Sequence, residues 1–177
     1  MNEDKLQKLY DKIRTIPDFP KQGIQFKDFT PLMAENETLE LTSRLLTEPF
    51  KGKLVNKVAG LESRGFLFGL RLAQDLKAGF VPVRKPGRLP HETVSQTYEL
   101  EYGTDTIEIH ADGIQKGDNV IVHDDLVATG GTAMACARLI EKLGGNIIGF
   151  SFIMQIDSLT GFKTIKKSYS CYSLLSV

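Results

Sequence analysis

The run from Val120 to Thr132 constrains this chain more than any other part of it. Three β-branched apolar residues, Val120, Ile121 and Val122, lead through His123 into two carboxylates, Asp124 and Asp125. Leu126 and Val127 come next. A loop of small residues follows (Ala128, Thr129, Gly130, Gly131 and Thr132), and a helical pattern opens at Ala133. The order is strand, acidic edge, small-residue loop, helix. Turn chemistry alone explains the glycines but not this whole sequence of residue types.

The chemistry of the run is specific. Gly130 and Gly131 admit backbone conformations that a Cβ would block, so amide N–H groups can converge on an anion. Thr129 and Thr132 add hydroxyl donors, and a helix starting near Thr132 aims its unsatisfied N–H groups and positive dipole end at the same point. Asp124 and Asp125 are anionic and suit sugar hydroxyls or the water shell of Mg²⁺. A phosphate cradle beside a hydroxyl-binding acid pair matches the needs of a ribose 5-phosphate.

Repetition of the strand-then-helix order predicts the fold class. Lys57–Leu61, Gly79–Val83, Val120–Val122, Ile147–Met154 and Cys171–Leu175 read as strands. Helices are predicted over 36–48, 64–74 and 133–143, the last stopped by Gly144 and Gly145. Leu6, Leu9, Ile13 and Ile16 have helical spacing and predict a further helix over about 3–15, with Pro17 to Pro20 ending it. Gly23 to Phe29 reads as extended. The expected fold is α/β: a mainly parallel central sheet flanked by helices. Thr93–Glu101 and Thr104–His110 break the pattern, each alternating, and predict a β-hairpin that serves as a lid.

Composition narrows the function classes. Lys plus Arg and Asp plus Glu both number 22, so no global basic field favours nucleic acid. No apolar run approaches the roughly 18 to 20 residues of a membrane span. The first residues lack the basic-then-apolar order of a signal peptide, and Cys136 and Cys171 are isolated. A cytoplasmic protein with free thiols is expected.

Several separated motifs, in order, carry a resemblance: Pro17-Asp18-Phe19-Pro20, Gly23 to Asp28, Ala59 to Phe66, Arg84 to Pro90, Tyr98 to Gly103, and the 120–132 run. From Ile13 to about Leu175 the chain resembles the adenine phosphoribosyltransferases, members of the type I phosphoribosyltransferase family. The resemblance implies purine salvage, in which adenine and phosphoribosyl pyrophosphate (PRPP) give AMP and pyrophosphate with Mg²⁺. It also implies a homodimer, with no nucleic-acid or membrane partner. A single domain over 1–177 is expected, with a core at about 34–177, a base-binding segment at about 1–33 and the lid at about 86–110.

Residue roles follow from the same resemblance. Asp124, Asp125 and the loop Ala128, Thr129, Gly130, Gly131 and Thr132 would hold the ribose and its 5-phosphate. Ser63, Arg64, Lys85, Arg88 and Tyr102 would take the pyrophosphate. Gln25, Phe26 and Lys27 would read adenine, with Phe26 and Leu126 sandwiching the ring. Many relatives carry Arg where Lys27 stands. The metal would ride on pyrophosphate and ribose hydroxyls, with no protein side chain assigned to it. Glu101 would exchange a proton with the purine. Glu99 and Glu101 alternate onto one strand face, so spacing alone does not choose between them, and the resemblance favours Glu101. His123 stands where relatives are usually apolar, and a buried histidine hydrogen-bonded within the sheet is expected. Two alternatives remain. A 6-oxopurine transferase needs a donor for O6, commonly lysine. A PRPP-sensing regulator usually adds a nucleic-acid surface.

Overall fold

A computed structural model of the chain describes residues 3–99 and 103–177. Five parallel strands form the central sheet: β3 (Lys57–Leu61), β4 (Gly79–Val83), β7 (Asn119–Val127), β8 (Asn146–Gln155) and β9 (Cys171–Ser176), in the order β4-β3-β7-β8-β9. Their period-two alternation divides the apolar side chains between two layers. On one face Val120, Val122 and Phe150 pack with Leu139 and Ile140 of α5 (Gly131–Lys142) and with Ile165 of α6 (Gly161–Lys166). On the other, Val58 and Ile121 meet Phe68 and Leu72 of α4 (Gly65–Asp75) and Leu41 and Leu46 of α3 (Asn36–Thr47). Phe29, and Leu32 of the short α2 (Pro31–Ala34), complete that layer.

The N-terminal reading needs correction. Helix α1 spans Glu3–Tyr10 rather than 3–15, and Arg14–Pro17 is a strand, β1, paired antiparallel with β2 (Gln25–Asp28). Leu9 is fully buried and completes the useful apolar stripe of the helix. Beyond it, β2 offers a ladder that takes the backbone groups a longer helix would use. Arg14 then anchors the pair, with Nε and Nη2 donating to Asp28 Oδ2 at 3.0 and 2.6 Å.

The third expected core strand is longer than predicted. β7 runs on through Asp124 and Asp125 to Val127, because β8 supplies partners to the end. Strands β5 (Thr93–Glu99) and β6 (Thr104–His110) form the expected hairpin. One face of it belongs to the core: Tyr98, Ile107 and Ile109 are buried. An antiparallel bridge between Arg84 and Glu108 fastens it to the end of β4.

Candidate active site

The loops after β3, β4 and β7 all leave the same, C-terminal edge of the sheet. Strand order reverses between β3 and β7, since β3 leads to β4 on one side and β7 to β8 on the other. Open α/β sheets form their ligand crevice at such a reversal. Glu62, Ser63 and Arg64 border it from one side, and Ala128 to Thr132 from the other.

The loop after β7 has the geometry of an anion cradle. Gly130 takes φ of 83° and caps α5 without a side-chain bond, a left-handed conformation that favours glycine. A cavity of about 100 Å³ is lined by Asp124, Thr129, Gly130, Gly131, Thr132 and Phe152. The opening N–H groups of α5 face no intrahelical acceptor. The cradle rests on Gly161, the first residue of α6, whose N–H donates to Ala128 O at 3.1 Å. An added Cβ at 161 would stand 2.2 Å from that oxygen and 2.5 Å from Thr129 C. Sequence reasoning missed this support, because an isolated glycine after a predicted strand carries no mark of what lies against it.

The acid pair sits at the crevice floor. Asp125 is 3% exposed and Asp124 half-buried, and the Asp125 N–H donates to Asp124 Oδ1 at 2.9 Å. Burial pushes both carboxyls above the usual range, and the neighbouring Asp125 charge raises Asp124 further. Arg64 opposes this. Its Nε lies 3.1 Å from Asp125 Oδ2, close enough for an ion pair although that oxygen accepts no aligned hydrogen bond. The same guanidinium carbon stands 5.0 Å from the centre of the Phe26 ring. Arg64 therefore joins the acid pair to the N-terminal strands.

Ser63 and Arg64 lie just before α4, and the Glu62–Ser63 peptide is cis. Glu62 organises the second basic segment. Its nearly buried carboxylate pairs with Arg84 at 3.2 Å and with Arg88, and accepts the Lys85 N–H at 2.9 Å. Burial alone would raise its pKa, but these donors together hold it below the ordinary value. Arg88 is thus engaged by Glu62, and Lys85 by Asp105 of β6.

Gln25 is exposed on β2, with Phe26 and Lys27 half-buried beside it. The Phe26 ring meets Phe19 edge-on at 5.1 Å, and Lys27 Nζ donates to Thr15 Oγ1 at 3.1 Å. Leu126 is half-buried on β7. Glu101 and Tyr102 lie outside the described residues. Glu99 is exposed at the end of β5.

A phosphoribosyl transferase domain model matches residues 36–176. An adenine phosphoribosyltransferase of Flavobacterium johnsoniae is 52% identical over 169 residues, which cover 96% of this chain and 99% of that one. The chain belongs to the adenine phosphoribosyltransferase family. Solved members of that family share its fold. The structure from Rhodothermus marinus aligns with a TM-score of 0.96 at 49% identity, covering 99% of this chain and 100% of that one. The Saccharomyces cerevisiae structure, complexed with an imino-altritol bisphosphate and adenine, aligns at 0.90 and 40% identity, covering 98% and 100%.

Within the adenine phosphoribosyltransferase fold, His123 is buried in the sheet as expected. It lies against the Ser151 backbone of β8, but neither ring nitrogen makes a well-aligned hydrogen bond. Burial pushes its pKa down to about 3, so the ring is neutral at physiological pH. The Ser151 hydroxyl opposite is buried and unpartnered. His123 fills space against Gly69 of α4, where an added Cβ would lie 3.3 Å from its ring. A larger hollow, about 600 Å³, lies between α3 and β9 beside Lys5, Arg44 and Tyr172, away from the crevice. No helix among the described residues is long and apolar enough to cross a membrane.

Proposed function

We propose that this chain transfers the 5-phosphoribosyl group of PRPP to N9 of adenine, giving AMP and pyrophosphate. The observation that carries the reading is the juxtaposition, at one sheet reversal, of the Thr129 to Thr132 cradle with the Asp124–Asp125 pair. The cradle takes the 5-phosphate, and the pair holds the ribose hydroxyls. Ser63, Arg64, Lys85, Arg88 and Tyr102 receive the pyrophosphate. Gln25, Phe26, Lys27 and Leu126 hold the base. The named activity of the Flavobacterium relative and the adenine in the yeast structure support this choice of base.

The chemistry is displacement at the anomeric carbon through an oxocarbenium-like state. Cationic side chains draw off the pyrophosphate as its bond to carbon lengthens. Asp124 and Asp125 fix the sugar and offset the positive charge that develops on it. Orientation of two reactants in a closed crevice supplies much of the acceleration. Mg²⁺ carried on pyrophosphate and ribose hydroxyls would neutralise the leaving group. The carboxylates of Asp124 and Asp125 suit hydroxyls and the water shell of such an ion. Glu101 exchanges a proton with the purine as N9 forms its new bond. The homodimer and the cytoplasmic setting belong to the same reading. Leu67 and Leu70 of α4, 49% and 59% exposed, suit a partner subunit.

The direct test is AMP formation from adenine and PRPP with Mg²⁺, run beside hypoxanthine and guanine. Product from either 6-oxopurine, with none from adenine, would replace this reading by the oxopurine one. Glu101→Gln is expected to lower turnover by about 100-fold or more while PRPP binding stays near normal. Unchanged turnover would remove Glu101 from the mechanism.

A further inference from the structure

A polar chain crosses from the cradle to the basic segment after β4. Thr132 Oγ1 donates to Tyr98 Oη at 2.9 Å, and Tyr98 Oη donates to Asp105 Oδ2 at 3.1 Å. The same Oδ2 is ion-paired with Lys85 Nζ. Asp105 Oδ1 accepts the Thr106 N–H at 2.8 Å, so both carboxylate oxygens are fixed. The hairpin register sets Tyr98 directly opposite Asp105. Tyr98 is 6% exposed, with its ring in the core. The hairpin also presses on the cradle itself: a Cβ at Gly131 would lie 3.4 Å from both the Tyr98 ring and Glu99 O. On the other side, the Arg84–Glu108 bridge ties the hairpin to the segment that carries Lys85.

We propose that Tyr98 and Asp105 are positioning residues that tie Lys85 to Thr132, so that the grips on pyrophosphate and 5-phosphate are set as one unit. This rests on the reading of Lys85 as a pyrophosphate residue. A carboxylate beside a site for a highly charged anion repels that anion, so Asp105 opposes PRPP unless it does something else. What it does is hold the flexible lysine chain, whose ammonium has no fixed direction of its own. As a stability device the pair is weak, because both side chains are partly open to solvent, at 40% and 28%.

The sign of the kinetic change separates the possibilities. If Asp105 only masks Lys85, Asp105→Asn lowers the KM for PRPP. If it positions Lys85, Asp105→Asn lowers kcat/KM for PRPP by about 10- to 100-fold, with KM rising despite the lost negative charge. Tyr98→Phe, which keeps the buried ring, should act in the same direction. Adenine KM should stay near the parent value in both. In a Lys85→Ala background Asp105→Asn should add no more than about a twofold change, since it acts through that lysine, whereas Tyr98→Phe keeps the part of its effect that runs through Thr132. A lower PRPP KM, unaltered PRPP kinetics, or an equally large Asp105→Asn effect on top of Lys85→Ala would overturn the proposal. Lys85→Ala damaging PRPP use while both other variants are silent overturns it alone. Lys85→Ala without effect overturns the pyrophosphate reading of Lys85 as well.

Discussion

Asp124→Asn is expected to give a more stable protein that is nearly inactive. Burial and the adjacent Asp125 charge raise the Asp124 carboxyl well above its ordinary 3.8. A carboxyl raised on folding contributes fully below its unfolded pKa, and that contribution is lost as pH rises through the folded value. At neutral pH the native fold therefore carries two crowded acids at a cost. Asparagine removes the charge, and its Oδ1 can still accept the Asp125 N–H that Asp124 accepts at 2.9 Å. A gain of roughly 1 kcal/mol in unfolding free energy near pH 7 follows. The gain should shrink as pH falls from the raised folded value towards 3.8, below which the parent carboxyl is neutral in both states. AMP formation should fall by at least about 100-fold, because the amide no longer offsets charge on the sugar. Denaturant unfolding at several pH values, with initial rates, checks both halves. A variant less stable at neutral pH, or one as active as the parent, would contradict the argument.

Gly161→Ala should disable PRPP binding although no residue lining the crevice is replaced. The new Cβ would meet Ala128 O and Thr129 C at 2.2 and 2.5 Å, and both are backbone atoms with no rotamer to yield. Either α6 backs away or the cradle shifts, and overpacking of this kind costs about 1–3 kcal/mol. A displacement on the order of 1 Å takes the amide groups off the phosphate, and losses near 100-fold in kcat/KM for PRPP are expected. Adenine affinity, which the proposed function assigns to β2 and β7, should change far less. PRPP kinetics indistinguishable from the parent would mean that the loop relaxes freely or does not hold the phosphate.

How much of this was legible depended on the range of each interaction. The Val120 to Thr132 run is contiguous, so its residue types announce strand, acids, cradle and helix together. Lys57–Leu61 and Gly79–Val83 were read with their observed bounds because buried parallel strands are short unbroken apolar runs. Ile13 and Ile16 keep helical spacing and so extend the predicted first helix, whereas β1 is decided by β2, a partner farther along the chain. The Glu62 hub was missed for the same reason. Arg84 and Arg88 reach it across two strands, and nothing beside Glu62 in sequence signals them. Tyr98 and Asp105 became partners only through the hairpin register, and Gly161 gained its role only when α6 met the cradle.

The place of Arg64 between the Phe26 ring and Asp125 has a thermodynamic corollary. One guanidinium serves two compartments, so any ligand that recruits it alters what the aromatic face offers a purine. Reciprocity then requires the purine to alter that ligand's affinity by the same factor. On the proposed assignment of Phe26 to the purine and Arg64 to pyrophosphate, the two substrates would tune each other's affinity through this one side chain, whichever arrives first.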